Sequence, residues 1–294
     1  PVSFFAQARF APSSFFLRHS MSFLPRCTSA VEAAASFQTH GAAILAKEGD
    51  FMLKDNTLAD LYKWCDEQND DQQTDWKAWI RSDRHMNPNV QKDWNRFTLN
   101  CPDNWKRTEW QQAVADISRN NGVLAVVQLI LGVVASITRL GGDTVRGFCK
   151  AGQCLHSDGG SVRSEPGAPR LPFQEVVACQ FVVLSICVHD ISKEMGAFYF
   201  AGLDAMYSVD GSIPPVFTPE EFDTHFGFDQ SGVTGCCVMR RGDMLLRNPL
   251  VWHAGTPNCS GVTRYLPGCI LKHRAIRLRC IDSFFKYGCS SSKS

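Results

Sequence analysis

The stretch Arg241-Gly-Asp-Met-Leu-Leu-Arg-Asn-Pro-Leu-Val-Trp-His253-Ala-Gly-Thr-Pro-Asn-Cys-Ser-Gly-Val-Thr-Arg264-Tyr265 decides how this chain folds. Met244–Trp252 is apolar and reads as a strand that ends in His253. A Gly/Pro/Asn/Ser turn follows, and a new strand-like run, Val262–Lys272, carries Arg264 near its start. Paired antiparallel, the two strands return Arg264 close to His253 inside the fold. An inward-facing arginine needs an anion, because an unpaired buried charge is costly. A carboxylate gripped by the planar guanidinium meets that need. The plainer alternative is a surface arginine beside a turn.

Working outward, the back half alternates strand-like runs with Gly, Pro, Asn and Asp turns. The runs are Thr144–Cys149, Glu175–Val188, Cys236–Met239 and the two above. Gly141-Gly142-Asp143 reads as a turn before the first of them. Short strands of this kind indicate an antiparallel sandwich or barrel. Ser157–Pro172 and Asp204–Gly235 read as long loops, which are often binding loops or lids.

The front third reads helical. Leu58, Leu61, Tyr62 and Cys65 recur at helical spacing, with Asn56 or Asp55 placed to cap them. Asp75–Ile80 reads as a short helix, and Asp103–Val127 as a helix that begins polar and enters a core. Gly41-Ala-Ala-Ile-Leu45 reads as a short strand. Helices first and strands later fit a β core with helices packed on one side.

Composition bounds the function. The 294 residues carry 30 Lys+Arg against 29 Asp+Glu, and 44% are hydrophobic. Such values exclude wholesale disorder and coiled coil. A balanced charge gives no global field for nucleic acid or an anionic membrane, so a small molecule is the expected partner. The longest apolar run, Val123–Ile137, contains Gln128 and Gly132. It is shorter than the roughly 20 residues of a membrane span and reads as a buried helix or a helix-to-strand passage. The 13 cysteines show no C-x-x-C pair, so they read as reduced thiols, mostly buried as small hydrophobes. That places the chain inside the cell.

A second motif is Leu155-His156-Ser157-Asp158-Gly159-Gly160. An H-x-D at a strand end puts an imidazole and a carboxylate on one side of the chain, since strand side chains alternate. On its own it could equally be a surface turn. With the distal His253 the set becomes two histidines and one carboxylate, the facial triad of non-haem Fe(II) oxygenases. Arg264, eleven positions past His253, would hold the far carboxylate of 2-oxoglutarate.

In these motifs the chain resembles the phytanoyl-CoA dioxygenase-like family of Fe(II)/2-oxoglutarate-dependent oxygenases. The resemblance rests on Cys154-Leu-His-Ser-Asp-Gly-Gly160, the strand Val176–Cys187 leading to Glu194-Met-Gly-Ala-Phe-Tyr-Phe-Ala-Gly-Leu203, and the Arg241–Tyr265 stretch. Phe37-Gln-Thr-His-Gly-Ala-Ala-Ile-Leu45 matches the usual first helix and strand more loosely. The likeness spans roughly residues 35–275 and is tight only around the motifs. It implies a mainly β fold with supporting helices: a double-stranded β-helix (jelly-roll, cupin-like) core at about 134–275. It further implies Fe(II) held by His156, Asp158 and His253, with 2-oxoglutarate bound at Arg264 and O2 consumed. Asp158 is present where halogenating relatives carry a small residue, so the implied reaction is hydroxylation of an aliphatic C–H, releasing succinate and CO2. Gly196–Asp204 departs from the family's proline-rich pattern and leaves the substrate side unassigned.

Other residues carry open readings. Gln180, mid-strand in an apolar run, either touches the cosubstrate or a metal-bound water or is a satisfied core amide. Arg146 and Lys150 read as solvated charges or as contacts to an anionic substrate. Trp252 reads as packing; His189, His225 and His273 as structural or surface; Arg247 and Asp243 as turn and strand-edge residues. Residues 1–31 hold three arginines and no acid, which reads as an organelle transit peptide (mitochondrion or plastid) or a disordered leader, and Met21 is a candidate start. Residues 32–288 then form one oxygenase domain and 289–294 a tail. The competing function is a cupin-like metal- or ligand-binding module without oxygen chemistry, since fold does not fix function.

Overall fold

The computed structural model describes residues 24–72, 96–99, 102–132, 134–149, 181–200, 237–249, 251 and 253–273. Among these, the helices are α1 (Ala30–His40), α2 (Asp55–Gln72), α3 (Thr108–Arg119) and α4 (Asn121–Leu131). The strands are β1 (Arg26–Cys27), β2 (Ala42–Leu45), β3 (Arg96–Thr98), β4 (Ala135–Val145), β5 (Phe181–Ile186), β6 (Phe198–Phe200), β7 (Met244–Arg247), β8 (His253–Gly255) and β9 (Arg264–His273).

Seven strands form one sheet in the order β1-β2-β7-β5-β9-β4-β3, and β6 pairs with β8 in a second. From β5 onward the chain alternates between them: β5, β7 and β9 lie in the large sheet, β6 and β8 in the small one. All large-sheet pairs are antiparallel except β1–β2.

Period-two alternation gives the large sheet two apolar faces. Ala43, Leu45, Leu184, Met244, Leu246 and Tyr265 join a core with Phe37, Leu61, Trp64, Trp110 and Val126 of the helices. Trp64 and Trp110 meet edge to face at 5.2 Å within it. Their neighbours Ala42, Ile44, Leu245 and Leu266 face the other way and pack with Phe198, Phe200 and Val251 in a second core toward the small sheet. The burial of Cys65 and Cys269 raises both thiols, Cys269 to about 12, which makes them core atoms rather than nucleophiles.

Local chemistry explains the ends of the helices. Ser29 and Glu32 form a reciprocal capping box on α1, and Gly41 closes it at φ 70°. Asn120 accepts the Val123 N–H to start α4, and Gly132 ends it at φ 70°. The expected helix over Asp103–Val127 is therefore divided: a single-turn helix at Pro102–Lys106, then α3, then α4 starting anew after Asn120. Val123–Ile137 is a passage from α4 into β4, and no described helix is long and apolar enough to cross a membrane.

Three expectations need correction. Gly141-Gly142-Asp143 is no turn but the middle of β4, paired with Gly268, Pro267 and Leu266 of β9. A Cβ on Gly142, at φ 148°, would sit 2.4 Å from the Leu266 carbonyl oxygen, so the glycine permits close strand approach. The front third holds more strand than expected: β2 is the strand expected at Gly41–Leu45, but β1 beside it and β3 at the opposite edge of the large sheet add to it. The last residues of the expected 1–31 leader belong to the fold: β1 pairs with β2, and Ser29 caps α1.

Candidate functional site

The site lies on the large-sheet face turned toward β6 and β8. Arg264 has the same parity on β9 as Leu266, so it points away from the helices and into that face. It is 0% exposed. Its Nη1 donates to the Gly196 carbonyl oxygen and its Nη2 to Asp143 Oδ2. Its Cζ lies 5.2 Å from the Phe198 ring centroid. The inward arginine expected from the turn is thus observed, and among the described residues it pairs with the carboxylate of Asp143.

His253 opens β8 rather than closing the preceding strand. β7 stops at Arg247, and the chain turns before entering the small sheet. His253 is 1% exposed, opposite Phe200 in the β6–β8 register. Phe198 and Phe200 wall its ring at 5.9 and 6.0 Å. Its Nδ1 lies 2.9 Å from the Val251 carbonyl oxygen. A carbonyl only accepts, so Nδ1 carries a proton, and in the neutral form of the ring the lone pair falls on Nε2. That is the tautomer a metal-ligating histidine uses, fixed by a carbonyl behind the ring. His253 and Arg264 contact one side chain in common, Phe198.

Two residues passed over in the sequence hold this geometry. Asn258, fully buried, donates from Nδ2 to the carbonyls of Val145 and Val262, and its Oδ1 accepts from Ser260 N and Oγ. It pins the turn between β8 and β9 to the end of β4. Gly196, at φ 77°, lies where a Cβ would meet the Thr256 carbonyl oxygen at 2.7 Å. That approach brings its own carbonyl to Arg264. The signal for both was a turn-forming residue inside a motif, which is hard to separate from ordinary loop chemistry.

Asp243 lies in the turn before β7 and Arg247 ends that strand, as expected, but both are buried. Asp243, 0% exposed, accepts from Arg26 Nε and Nη2 and from the backbone N–H groups of Lys47 and Arg240. It locks the turn before β7 to β1 and β2. Arg247 is buried on β7 with its Cζ 5.8 Å from the Phe198 ring, the ring Arg264 also touches. Arg146, half-buried, binds the Asn69 side chain and carbonyl at 2.8 and 2.9 Å, which ties the end of β4 to α2.

His156, Asp158 and Gln180 lie outside the described residues, as do Lys150, His225, Trp252 and the expected loops 157–172 and 204–235. Among the described residues no group of three metal-ligating side chains converges. Of the expected set, His253 and Arg264 are brought together.

No protein-family model matches the chain, and no curated protein sequence does. Solved structures do match. AviO1 from Streptomyces viridochromogenes Tue57 superposes with a TM-score of 0.53 at 17% identity, over 86% of this chain and 99% of its own. HygX from Streptomyces hygroscopicus, solved with nickel, 2-oxoglutarate and hygromycin B, gives 0.51 at 15% identity, over 83% and 88%. The epimerase SnoN, in complex with Fe3+, alpha-ketoglutarate and nogalamycin RO, gives 0.52 at 10% identity, over 83% of each chain. The likeness is one of fold.

Proposed function

We propose that this chain is an Fe(II)/2-oxoglutarate-dependent oxygenase on a double-stranded β-helix core, similar to the phytanoyl-CoA dioxygenase-like branch. It would hydroxylate an aliphatic C–H of a small organic or acyl substrate. The observation that carries this reading is a buried histidine, its Nδ1 against a backbone carbonyl, and a buried arginine against the same Phe198 ring. Structures that share the fold support it, since HygX holds nickel with 2-oxoglutarate and SnoN holds iron with alpha-ketoglutarate. The residues present suit the group: an imidazole with a fixed tautomer and a guanidinium in an apolar wall.

In this reading His156, Asp158 and His253 hold the metal. Arg264 holds the distal carboxylate of 2-oxoglutarate, and Gln180 contacts the cosubstrate. Bound there, iron and cosubstrate supply O2 activation, with succinate and CO2 as co-products. The chain's own residues do the rest. Val251 keeps the His253 proton on Nδ1, and Asp143 and Gly196 hold the Arg264 plane. Phe198 and Phe200 exclude water from the space between. The substrate is a small molecule taken up inside the cell, or in an organelle if residues 1–31 direct it there.

One observation favours the second reading, a metal- or ligand-binding module without oxygen chemistry. Arg264 already has Asp143, so its burial alone does not demand a dicarboxylate. Anaerobic calorimetry of 2-oxoglutarate with Fe(II)-loaded protein separates the two. The oxygenase binds it and forms succinate, and His253→Ala and Asp158→Ala abolish that formation. No binding, or unchanged turnover in both variants, defeats the proposal. Product analysis then distinguishes hydroxylation from the inversion that the epimerase SnoN performs.

A further inference from the structure

Beside Arg264, Tyr265 turns to the helix side of β9. Its N–H meets no strand. The β5–β9 ladder ends at Ser185 and Gly268, Pro267 brings no N–H, and Tyr265 N donates instead to His189 Nε2 at 2.9 Å. On the opposite side of that ring, Nδ1 lies 2.9 Å from the Asp190 carbonyl oxygen. Both contacts demand one form of the ring: neutral, with the proton on Nδ1 and the lone pair on Nε2. The aromatic packing is specific as well. Tyr62 of α2 meets His189 edge-on at 5.8 Å and Tyr265 at 5.4 Å. Tyr265 Oη donates to Asp66 Oδ1 at 2.7 Å, which ties β9 to α2.

We propose that His189 is a positioning residue for Arg264. As a neutral imidazole it holds the β9 backbone at Tyr265, and on taking up a proton it releases that backbone and weakens 2-oxoglutarate binding. The proposal rests on the reading of Arg264 as the cosubstrate anchor. A proton on Nε2 would set one N–H against another, converting a hydrogen bond into a repulsion. Around the ring, burial and the Arg264 charge oppose the cation, while Asp190 favours it through its carbonyl and its charge. Asp66 accepts from Tyr265, the Asp190 carboxylate accepts the Arg241 N–H at 2.7 Å, and Tyr62 and Tyr265 present neutral rings. Burial pushes the His189 pKa below its ordinary value; the Asp190 carbonyl opposes this, and the Arg264 charge adds to it. The ring is therefore neutral at neutral pH and gains its proton only below the range of an ordinary histidine.

The test measures the 2-oxoglutarate dissociation constant of the metal-loaded protein from pH 8 to pH 5 in wild type, His189→Gln and His189→Ala. Glutamine keeps an acceptor for Tyr265 N–H and does not titrate. Every other titrating group is common to wild type and the glutamine variant, so the difference between the two is the signal. Wild type is expected to lose about tenfold more affinity than His189→Gln on acidification, with kcat little changed. His189→Ala should be weaker than both already at pH 8. Identical pH profiles in wild type and His189→Gln overturn the proposal. Hydrogen-exchange protection of the Tyr265 amide in wild type is an independent readout. It should fall on acidification and stay constant in His189→Gln, and equal protection throughout overturns the proposal even if 2-oxoglutarate binds to no form. Absence of binding with the amide behaviour intact defeats the cosubstrate reading alone.

Discussion

Arg264 reaches diagonally across the β4–β9 pair to Asp143, on the face turned toward the small sheet. The register sets Arg264 opposite Val145 and Asp143 opposite Leu266, so the two charges share a face one pleat apart. Asp143 thus neutralises the guanidinium inside the chain, and a bound carboxylate would share that arginine with it. Asp143→Asn leaves Arg264 buried beside a neutral amide. We expect it to destabilise the protein by about 3 kcal/mol, the lower range for breaking a buried pair. Saturating 2-oxoglutarate should recover part of the loss, giving a larger ligand-induced rise in Tm than in wild type. An equal or smaller rise, measured by thermal unfolding, would show that the cosubstrate does not pair with Arg264.

Asn258 is expected to matter more than its place in a turn suggests. Asn258→Ala removes the donor to the carbonyls of Val145 and Val262 and the acceptor for Ser260. The cost should be about 1–3 kcal/mol in urea unfolding. The turn it pins joins His253 to Arg264, so 2-oxoglutarate affinity should fall as well. An alanine variant with wild-type stability would contradict the role assigned to this side chain.

Two glycines in left-handed backbone provide an internal comparison. Gly142→Ala places a methyl 2.4 Å from the Leu266 carbonyl oxygen in mid-sheet, whereas Gly132→Ala, at φ 70°, meets nothing within 4 Å. The second should cost only backbone strain, about 1 kcal/mol, and the first should cost well above that because strands must move apart. Comparable losses in the two variants would refute the close-approach account of β4.

Arg26→Ala is predicted to destabilise by about 3 kcal/mol, because Asp243, at 0% exposure, loses its guanidinium partner and keeps the backbone N–H groups of Lys47 and Arg240. Arg26 itself is 29% exposed, which keeps the loss at the low end. A chain beginning at residue 32 should lose more, since β1, the Ser29 cap and this ion pair all go together. Urea unfolding of both variants checks the order, and a fully stable truncated chain would return residues 24–31 to the status of a leader.

A stability consequence of His189 follows from the same geometry. Its pKa is lowered in the folded chain, so between that value and the unfolded value near 6.5 the unfolded state binds more protons. The His189 contribution is complete above about pH 6.5 and is lost as pH falls toward the folded pKa. In His189→Gln the part of the acid destabilisation arising in this window should disappear, as measured by urea midpoints from pH 8 to pH 5.

By itself the sequence determined the alternation of strands in the back half, the helical spacing of α2, the short strand β2 and the inward setting of Arg264. These follow from period-two and 3.6-residue patterns, from turn chemistry and from the cost of burying an unpaired charge, all of which act over a few residues. Only the tertiary structure decided the rest, because it depends on partners distant along the chain. Gly141-Gly142 looks like a turn until Leu266 of β9 lies against it. Arg247 looks like an edge residue until β2 and β5 flank it and Phe198 comes up from the small sheet. Asp143, Asn258 and His189 acquire their roles from contacts with β9, with the end of β4 and with the backbone next to Arg264. A residue's neighbours along the chain set its local conformation, and the packing of the two sheets sets which charges and rings it meets.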